Sequence, residues 1–413
     1  MSTPAPMDLE RALALMDQAI AARAHPWETE RVAVEHALGR VLAEQPAARL
    51  DLPPFHKSAM DGFALRAGDP GLPSSPAFPG LPGPFFQVSE LVAAGSVATG
   101  ALAQGQAVRI MTGAPVPAEA DRVVMQEHTE LRHGWVRLLN TAGPPNICPQ
   151  GEDIQRGRAV LPTGQRLAAV DLANLAACGL REVLVARRVR LAVISTGDEV
   201  VSHPDMLGPG RILDANGPLL AALAHTWGLD LHSQTHARDD AQATRHAVAT
   251  ALEQADLVAI SGGVSAGVFD HVQDALRACG LHIAFDRLAV KPGRPMTLAH
   301  GPGGMVFGLP GNPVPVYLMF HLFVLRAAAT LQGTAWPVRR LRVPLAQDFG
   351  RRKVDRLEYI PVRLDAQGRA ALLPTHGTAH LLAHGAADGF ISVPAGVSSL
   401  AAGHAVDLLL LRP

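Results

Sequence analysis

From Arg190 onward, short apolar runs alternate with longer amphipathic ones, and this alternation constrains the chain more than any other feature. RLAVIST, LDLHSQ, DLVAIS and MVFGL read as strands; GPLLAALAHTWG, DAQATRHAVATALEQA, FDHVQDALRACG and PVYLMFHLFVLRAAATL read as helices. Strands separated by helices pair side by side through crossovers, so the expectation is a parallel sheet covered on both faces. In such sheets ligands bind beyond the carboxyl ends of the strands.

Those ends carry unusual residues. RLAVISTGDEV places Thr196, Gly197 and Glu199 at one. DLVAISGGVSAGVFD strips its side chains at Ser261, Gly262, Gly263 and Ser265, then places Asp270. VFGLPGNPVPVY supplies the rigid turn Pro310, Gly311, Asn312. In VKPGRP, Lys291 and Arg294 flank a Pro-Gly turn. Bare backbone amides beside a helix start accept an anion, and cations on a rigid loop suit an oxyanion. Glycines after a strand also serve plain backbone packing, and that reading stays open. Carboxylates such as Glu199 and Asp270 would repel the anion unless a divalent cation intervenes, and hard oxygen ligands favour Mg²⁺ over zinc. Each acid also has a structural role open to it: Glu199 in a first helical turn, Asp270 as an N-cap, Asp239 or Asp240 capping the helix they open.

The rest of the chain is organised differently. Residues 8–23 and 30–44 read as helices, and 165–178 as a third. Between them FALRA, FFQVSELVAAG, QAVRIMTG, ADRVVMQEH and WVRLL read as strands around a Gly/Pro-rich loop at 68–84. LRVPLA, EYIPVRL, GFISVP and VDLLLL follow residue 337 as strands. The domains expected are an N-terminal helical and linker unit at 1–46 and 146–187, an inserted β-rich domain at 47–145, the α/β domain at 188–334 and a C-terminal β domain at 337–413. A net charge of −1 over 413 residues gives no basic field for nucleic acid. Three scattered cysteines with no CxxC fit a reducing compartment. The N-terminus has no basic-then-apolar signal pattern, and the longest apolar run, 314–331, is interrupted by Pro315, His321 and Arg326. A cytoplasmic protein without a membrane partner is expected.

STGDEV, SGGVSAGVFD, LAVKPGRP and GLPGNPV, in this order, resemble the molybdopterin molybdenumtransferase family, the MoeA group that includes the E domain of gephyrin. DLPPFHKSAMDGFALR, RIMTGAPVPAEADRVVMQE, GEDI and ADGFISVPAGVSSLAAGHAVDLLLL extend the likeness over nearly the whole chain. The resemblance implies a three-layer α/β domain of molybdopterin-binding type, with a small barrel-like β domain at the C-terminus. It implies an enzyme that inserts molybdate into adenylylated molybdopterin and releases AMP, with Mg²⁺, as a homodimer, the donor being a molybdopterin adenylyltransferase. Carried over position by position, Glu199, Asp239 and Asp270 stand where acids serve metal and nucleotide. Lys291 and Arg294 would hold molybdate or pterin phosphates, with Arg287 of DRLAVK nearby. Asp61 of SAMDG and Thr112 of MTGAP would complete the partner subunit's site, although an Asp beside Gly62 also suits a turn. Arg356 and Thr378 match positions lining the molybdate pocket, Thr378 where serine is usual; Arg356 in RRKVDR also reads as a solvated charge. The alternatives are an adenylyltransferase-like enzyme acting on molybdopterin and a non-catalytic binding or scaffold paralogue.

This chain departs from the family in places. His56-Lys57-Ser58 replaces Asp-Asn-Ser, Cys148-Pro149-Gln150 replaces a stretch that carries arginines before GEDI, and Pro315 stands where serine is common. Each lost arginine should remove one charge-assisted phosphate contact. His376, His380 and His384 have the spacing of one helix face and so a zinc-like pattern, but Gly377 and Gly385 argue against a continuous helix and no acid completes the set.

Overall fold

The structure, a computed structural model, describes residues 5–22, 27–66, 68–263, 271–374, 377 and 381–411. Its largest sheet has the spatial order Asp230–Ala237, Arg190–Thr196, Leu257–Ser261, Gly304–Leu309, Pro295–Gly301, His282–Arg287. The first four strands are parallel and the last two join antiparallel, so the sheet is mixed rather than wholly parallel. The cause is local: Pro295–Gly301 and Gly304–Leu309 are separated only by Pro302 and Gly303, too short for a crossover, and form a hairpin. Alternate residues of the strands serve two cores. Leu191, Val193, Leu257 and Phe307 face one core, beneath the helices Asn216–Thr226 and 313–331; Ala192, Ile194, Val258 and Ile260 face the other, beneath Ala241–Gln254 and His271–Ala278.

The N-terminal helix forms at Leu9–Ala21, with the Asp8 carboxylate accepting from the Arg11 N–H at 2.9 Å. Its buried face of Ala12, Leu13, Met16 and Ile20 joins the α/β core, not the core of the other N-terminal elements. The second expected helix, 30–44, is not one. Thr29–Ala33 is a strand paired antiparallel with Glu182–Ala186, followed by a single 3₁₀ turn at Val34–His36. Gly39, at φ +72°, then reverses the chain so that Leu42 bridges Val185 on the same strand's other edge. Backbone pairing on both edges of 182–186 outweighs a helical spacing of apolar residues. The third helix is Ala169–Ala177. Among the described residues of 376–384, Leu381–His384 is helical and Gly377 has φ +142°, outside the helical region; His376 and His380 lie outside the described residues.

The inserted domain is a six-stranded sheet ordered Arg122–Met125, Gly62–Leu65, Gln106–Ile110, Phe85–Val92, Trp135–Leu138, Thr129–Arg132. The C-terminal sheet is ordered Val290–Lys291, Leu357–Leu364, Gly389–Val393, Ala405–Leu410, Arg340–Pro344. Its first strand comes from the loop carrying Lys291, so the C-terminal sheet is hydrogen-bonded to the very turn that the sequence singles out.

Pro313–Leu331 is long and apolar enough to cross a membrane, but 83% of its most apolar stretch is buried within the protein, as befits a core helix. Midway it widens into a π turn, Phe320–Val324. There His321 is fully buried, its Nδ1 2.8 Å from the Tyr317 carbonyl and its Nε2 accepting from the Trp227 indole at 3.2 Å. Burial lowers its pKa to about 4. The unfolded chain therefore binds the extra proton first: this contribution to stability is whole above pH 6.5 and is lost as pH falls from there toward 4. At pH 5 the folded protein should be about 2 kcal/mol less stable than at pH 7 on this account. Denaturant unfolding at both pH values should show that His321→Gln removes most of the difference; an unchanged difference would place the acid sensitivity elsewhere.

Candidate functional site

Three strand ends and one loop meet at two adjoining cavities. The larger, of about 470 Å³, is floored by Thr196, Gly197, Ser261, Gly262 and Gly263, with Glu199 and Asp239 on its rim. The smaller, of about 360 Å³, is lined by Lys291, Arg294, Pro310, Pro315 and Arg356. Pro295, Gly311 and Asn312 form a wall common to both.

The bare floor has a structural cause as well as a chemical use. A Cβ on Gly262, at φ +91°, would stand 2.7 Å from the Thr196 Oγ1 and 2.9 Å from the Thr196 carbonyl oxygen. The glycine therefore lets the ends of two parallel strands touch, and its own N–H donates to the Leu309 carbonyl at 3.2 Å, which ties the floor to the third strand end. The Gly197 turn is held by His236, whose Nε2 lies 3.0 Å from the Gly197 carbonyl. Of the paired acids, Asp240 is the helix cap, accepting from the Ala243 N–H at 2.7 Å, and this leaves the Asp239 side chain at the cavity. The Asp239 N–H donates to Asp198 at 3.3 Å, which ties the two acidic turns together. Asp214 and Asn216 also line this cavity and carry no family motif of those quoted above. Asp214 accepts from the Ser195 hydroxyl at 2.7 Å and from the Gly217 N–H at 2.9 Å; the Asn216 amide donates to the Gly311 carbonyl at 2.7 Å and so fixes the common wall. Their signal in the sequence was DANG before a helix, a turn-and-cap pattern.

In the smaller cavity the charge is all positive. Lys291 pairs with Glu358 at 2.6 Å, and Arg356 with its neighbour Asp355 at 3.2 Å. Arg294 is exposed and has no carboxylate partner among the described residues. The helix that begins at Pro313 aims its N-terminus here, but Pro313 and Pro315 have no N–H. Pro315 is sterically tolerated because it lies in the first turn, where an N–H has no intrahelical partner. Its cost is one anion donor, so side chains must supply the attraction.

Arg287 lines a separate depression with Met7 and Asp286 and borders neither cavity. Asp61 and Thr112 also stand apart. The Thr112 N–H and hydroxyl both donate to the Asp61 Oδ1 at 2.7 Å and hold that carboxyl below its ordinary pKa, ionised. Ser265, Asp270 and Thr378 lie outside the described residues.

For a divalent cation the described donors are Glu199 and Asp239. Among the described residues no three His, Cys, Asp or Glu side chains converge to make a closed metal cage. Mg²⁺ needs no such cage, since it keeps water and binds through one or two carboxylates plus substrate phosphates.

Residues 7–179 match the family described as the MoeA N-terminal region (domain I and II), 192–330 the probable molybdopterin binding domain, and 342–411 the MoeA C-terminal region (domain IV). The chain is 35% identical over 383 residues to the molybdopterin molybdenumtransferase of Staphylococcus epidermidis, covering 91% of this chain and 90% of the relative. The chain belongs to the molybdopterin molybdenumtransferase (MoeA) family. The Staphylococcus aureus protein of the same name is equally similar, at 35% over 387 residues, 92% of this chain and 90% of that one. Two crystal structures of the molybdopterin biosynthesis MoeA protein of Pyrococcus horikoshii superpose with TM-scores of 0.80 and 0.82, at 30% and 28% identity, over 99% and 98% of this chain and the whole of each of theirs. Within this MoeA-family chain, the two departures around His56 and Cys148 are neighbours. Lys57 is paired across a short antiparallel ladder with Cys148, and the Gln150 N–H donates to the His56 Nδ1 at 3.1 Å. The Lys57 cation on one strand thus stands opposite Cys148 on the other.

Proposed function

We propose that this protein is a molybdopterin molybdenumtransferase that inserts molybdate into adenylylated molybdopterin and releases AMP. The observation that carries the reading is the common wall of Pro295, Gly311 and Asn312, which sets a glycine-floored, acid-rimmed cavity beside a purely cationic one. A pterin nucleotide and an oxyanion need those two environments side by side. Lys291, Arg294 and Arg356 would hold molybdate while its oxygens leave; the bare floor at Gly262 and Gly263 would let the phosphates approach, with the Gly263 amide as donor. Phosphoanhydride cleavage depends on positioning and charge neutralisation more than on a covalent nucleophile, and none of these groups is required to be one. Glu199 and Asp239 would hold a Mg²⁺, which supplies neutralising charge at the phosphates. The homodimer belongs to the same reading: Asp61 and Thr112, which border neither cavity of their own chain, would complete the partner's site. A cytoplasmic setting suits the free cysteines Cys148, Cys178 and Cys279, and a molybdopterin adenylyltransferase would supply the substrate.

The test is AMP release from adenylylated molybdopterin on adding molybdate to the purified protein, together with rescue of nitrate reductase activity in a strain lacking its molybdenumtransferase. Tight dimers that release no AMP would favour a scaffold. Glu199→Gln and Asp239→Asn should each raise the Mg²⁺ concentration for half-maximal activity by about tenfold, the loss of one charged ligand, with the molybdate KM nearly unchanged. A matching rise in molybdate KM would instead place both acids on the oxyanion.

A further inference from the structure

Lys291 is 55% exposed, yet its ammonium is not free to wander. Its backbone forms a parallel ladder with the C-terminal sheet in which Lys291 is the partner of Glu358, and the Leu357 N–H donates to the Ala289 carbonyl at 3.1 Å. Glu358, 13% exposed, divides its carboxylate: Oε1 takes the Lys291 Nζ at 2.6 Å and Oε2 takes the Arg351 Nη1 at 3.1 Å. Arg351 is 7% exposed and engaged through all three nitrogens, through Nε to the Val397 carbonyl at 2.7 Å, Nη1 to the Arg356 carbonyl at 3.2 Å and Nη2 to the Pro394 carbonyl. One buried guanidinium therefore fixes both the carboxylate that aims Lys291 and the backbone that presents Arg356. Because Arg351 neutralises Glu358, the carboxylate directs the lysine without cancelling the positive charge of the cavity.

We infer that Glu358 is a positioning residue that aims the Lys291 ammonium into the oxyanion cavity, with Arg351 acting through it. The inference rests on the oxyanion reading of that cavity. A lysine has four side-chain torsions, so a fixed acceptor reduces the entropy lost when the anion arrives.

The test compares wild type with Glu358→Gln in two measurements. Competitive amine acylation read by mass spectrometry should modify Lys291 at least about threefold faster in the variant, since the paired ammonium is released. Molybdate-dependent AMP release should show a molybdate KM raised about tenfold with the KM for adenylylated molybdopterin within about twofold, one charge-assisted contact being misaligned. Unchanged acylation in folded Glu358→Gln, or faster acylation with an unchanged molybdate KM, overturns the inference. So does an equal rise in both KM values, the mark of a merely structural role. If wild type releases no AMP with molybdate, the proposed function fails, while acylation still reports the clamp. Should the glutamine variant not fold, Glu358→Asp, which keeps the charge on a shorter arm, is expected to move both readouts in the same directions by less, and no movement in either overturns the inference.

Discussion

Lys291→Ala should lower molybdate-dependent AMP release by about two to three orders of magnitude, the usual loss when one fixed oxyanion donor is removed. The local chemistry makes the loss hard to compensate. The helix N-terminus at this cavity begins with Pro313 and has Pro315 two residues on, so two backbone donors are missing. What remains is Arg294, on the same loop, and Arg356, partly engaged by Asp355. The fold should survive, because Glu358 keeps Arg351 as a partner and no buried charge is orphaned. A circular dichroism melt close to wild type, with single-turnover AMP release down a hundredfold or more, is the expected pair of results. Undiminished release would mean that molybdate is held elsewhere.

The strand ends were legible because three independent peculiarities fell where an α/β sheet binds ligands, and the structure brings them together at one wall. The short alternating runs of the inserted and C-terminal domains were legible for the same reason: period two is unambiguous when turns rich in Gly and Pro bound each run. What the sequence hid was non-local. The 30–44 stretch has helical spacing, and only the two-sided pairing of the distant 182–186 strand makes it extended. The antiparallel strands in the main sheet were hidden by reading helix–strand alternation past the short 302–303 turn. Glu358 and Arg351 gave no signal, since an acid opening a strand and a base in a charged run read as solvated surface until the ladder to Lys291 is seen. The departures at 56–58 and 148–150 appeared as separate losses, and only the pairing of Lys57 with Cys148 relates them.

The glycine floor gives the other large effect. Gly262→Ala should destabilise the protein by roughly 2–4 kcal/mol and reduce AMP release by about tenfold. Two costs add. At φ +91° an alanine is in a region that side chains avoid. Its methyl would also press on Thr196, which is 5% exposed, β-branched, and met through both its hydroxyl and its carbonyl oxygen. Neither can swing aside as a long flexible side chain would, so the 190–196 and 257–261 strand ends must separate. Separation carries the Gly197 turn and the adjoining Glu199 with it, and the floor and the acid of the larger cavity lose their alignment together. Gly208→Ala is the control: its methyl meets nothing within 4 Å and Gly208 has no positive φ, so stability should change by less than about 0.5 kcal/mol. Chemical unfolding of both variants beside wild type measures the difference. If Gly262→Ala unfolds with Gly208→Ala and retains full activity, the strand ends do not abut as described, and the bare floor has no packing reason to be glycine.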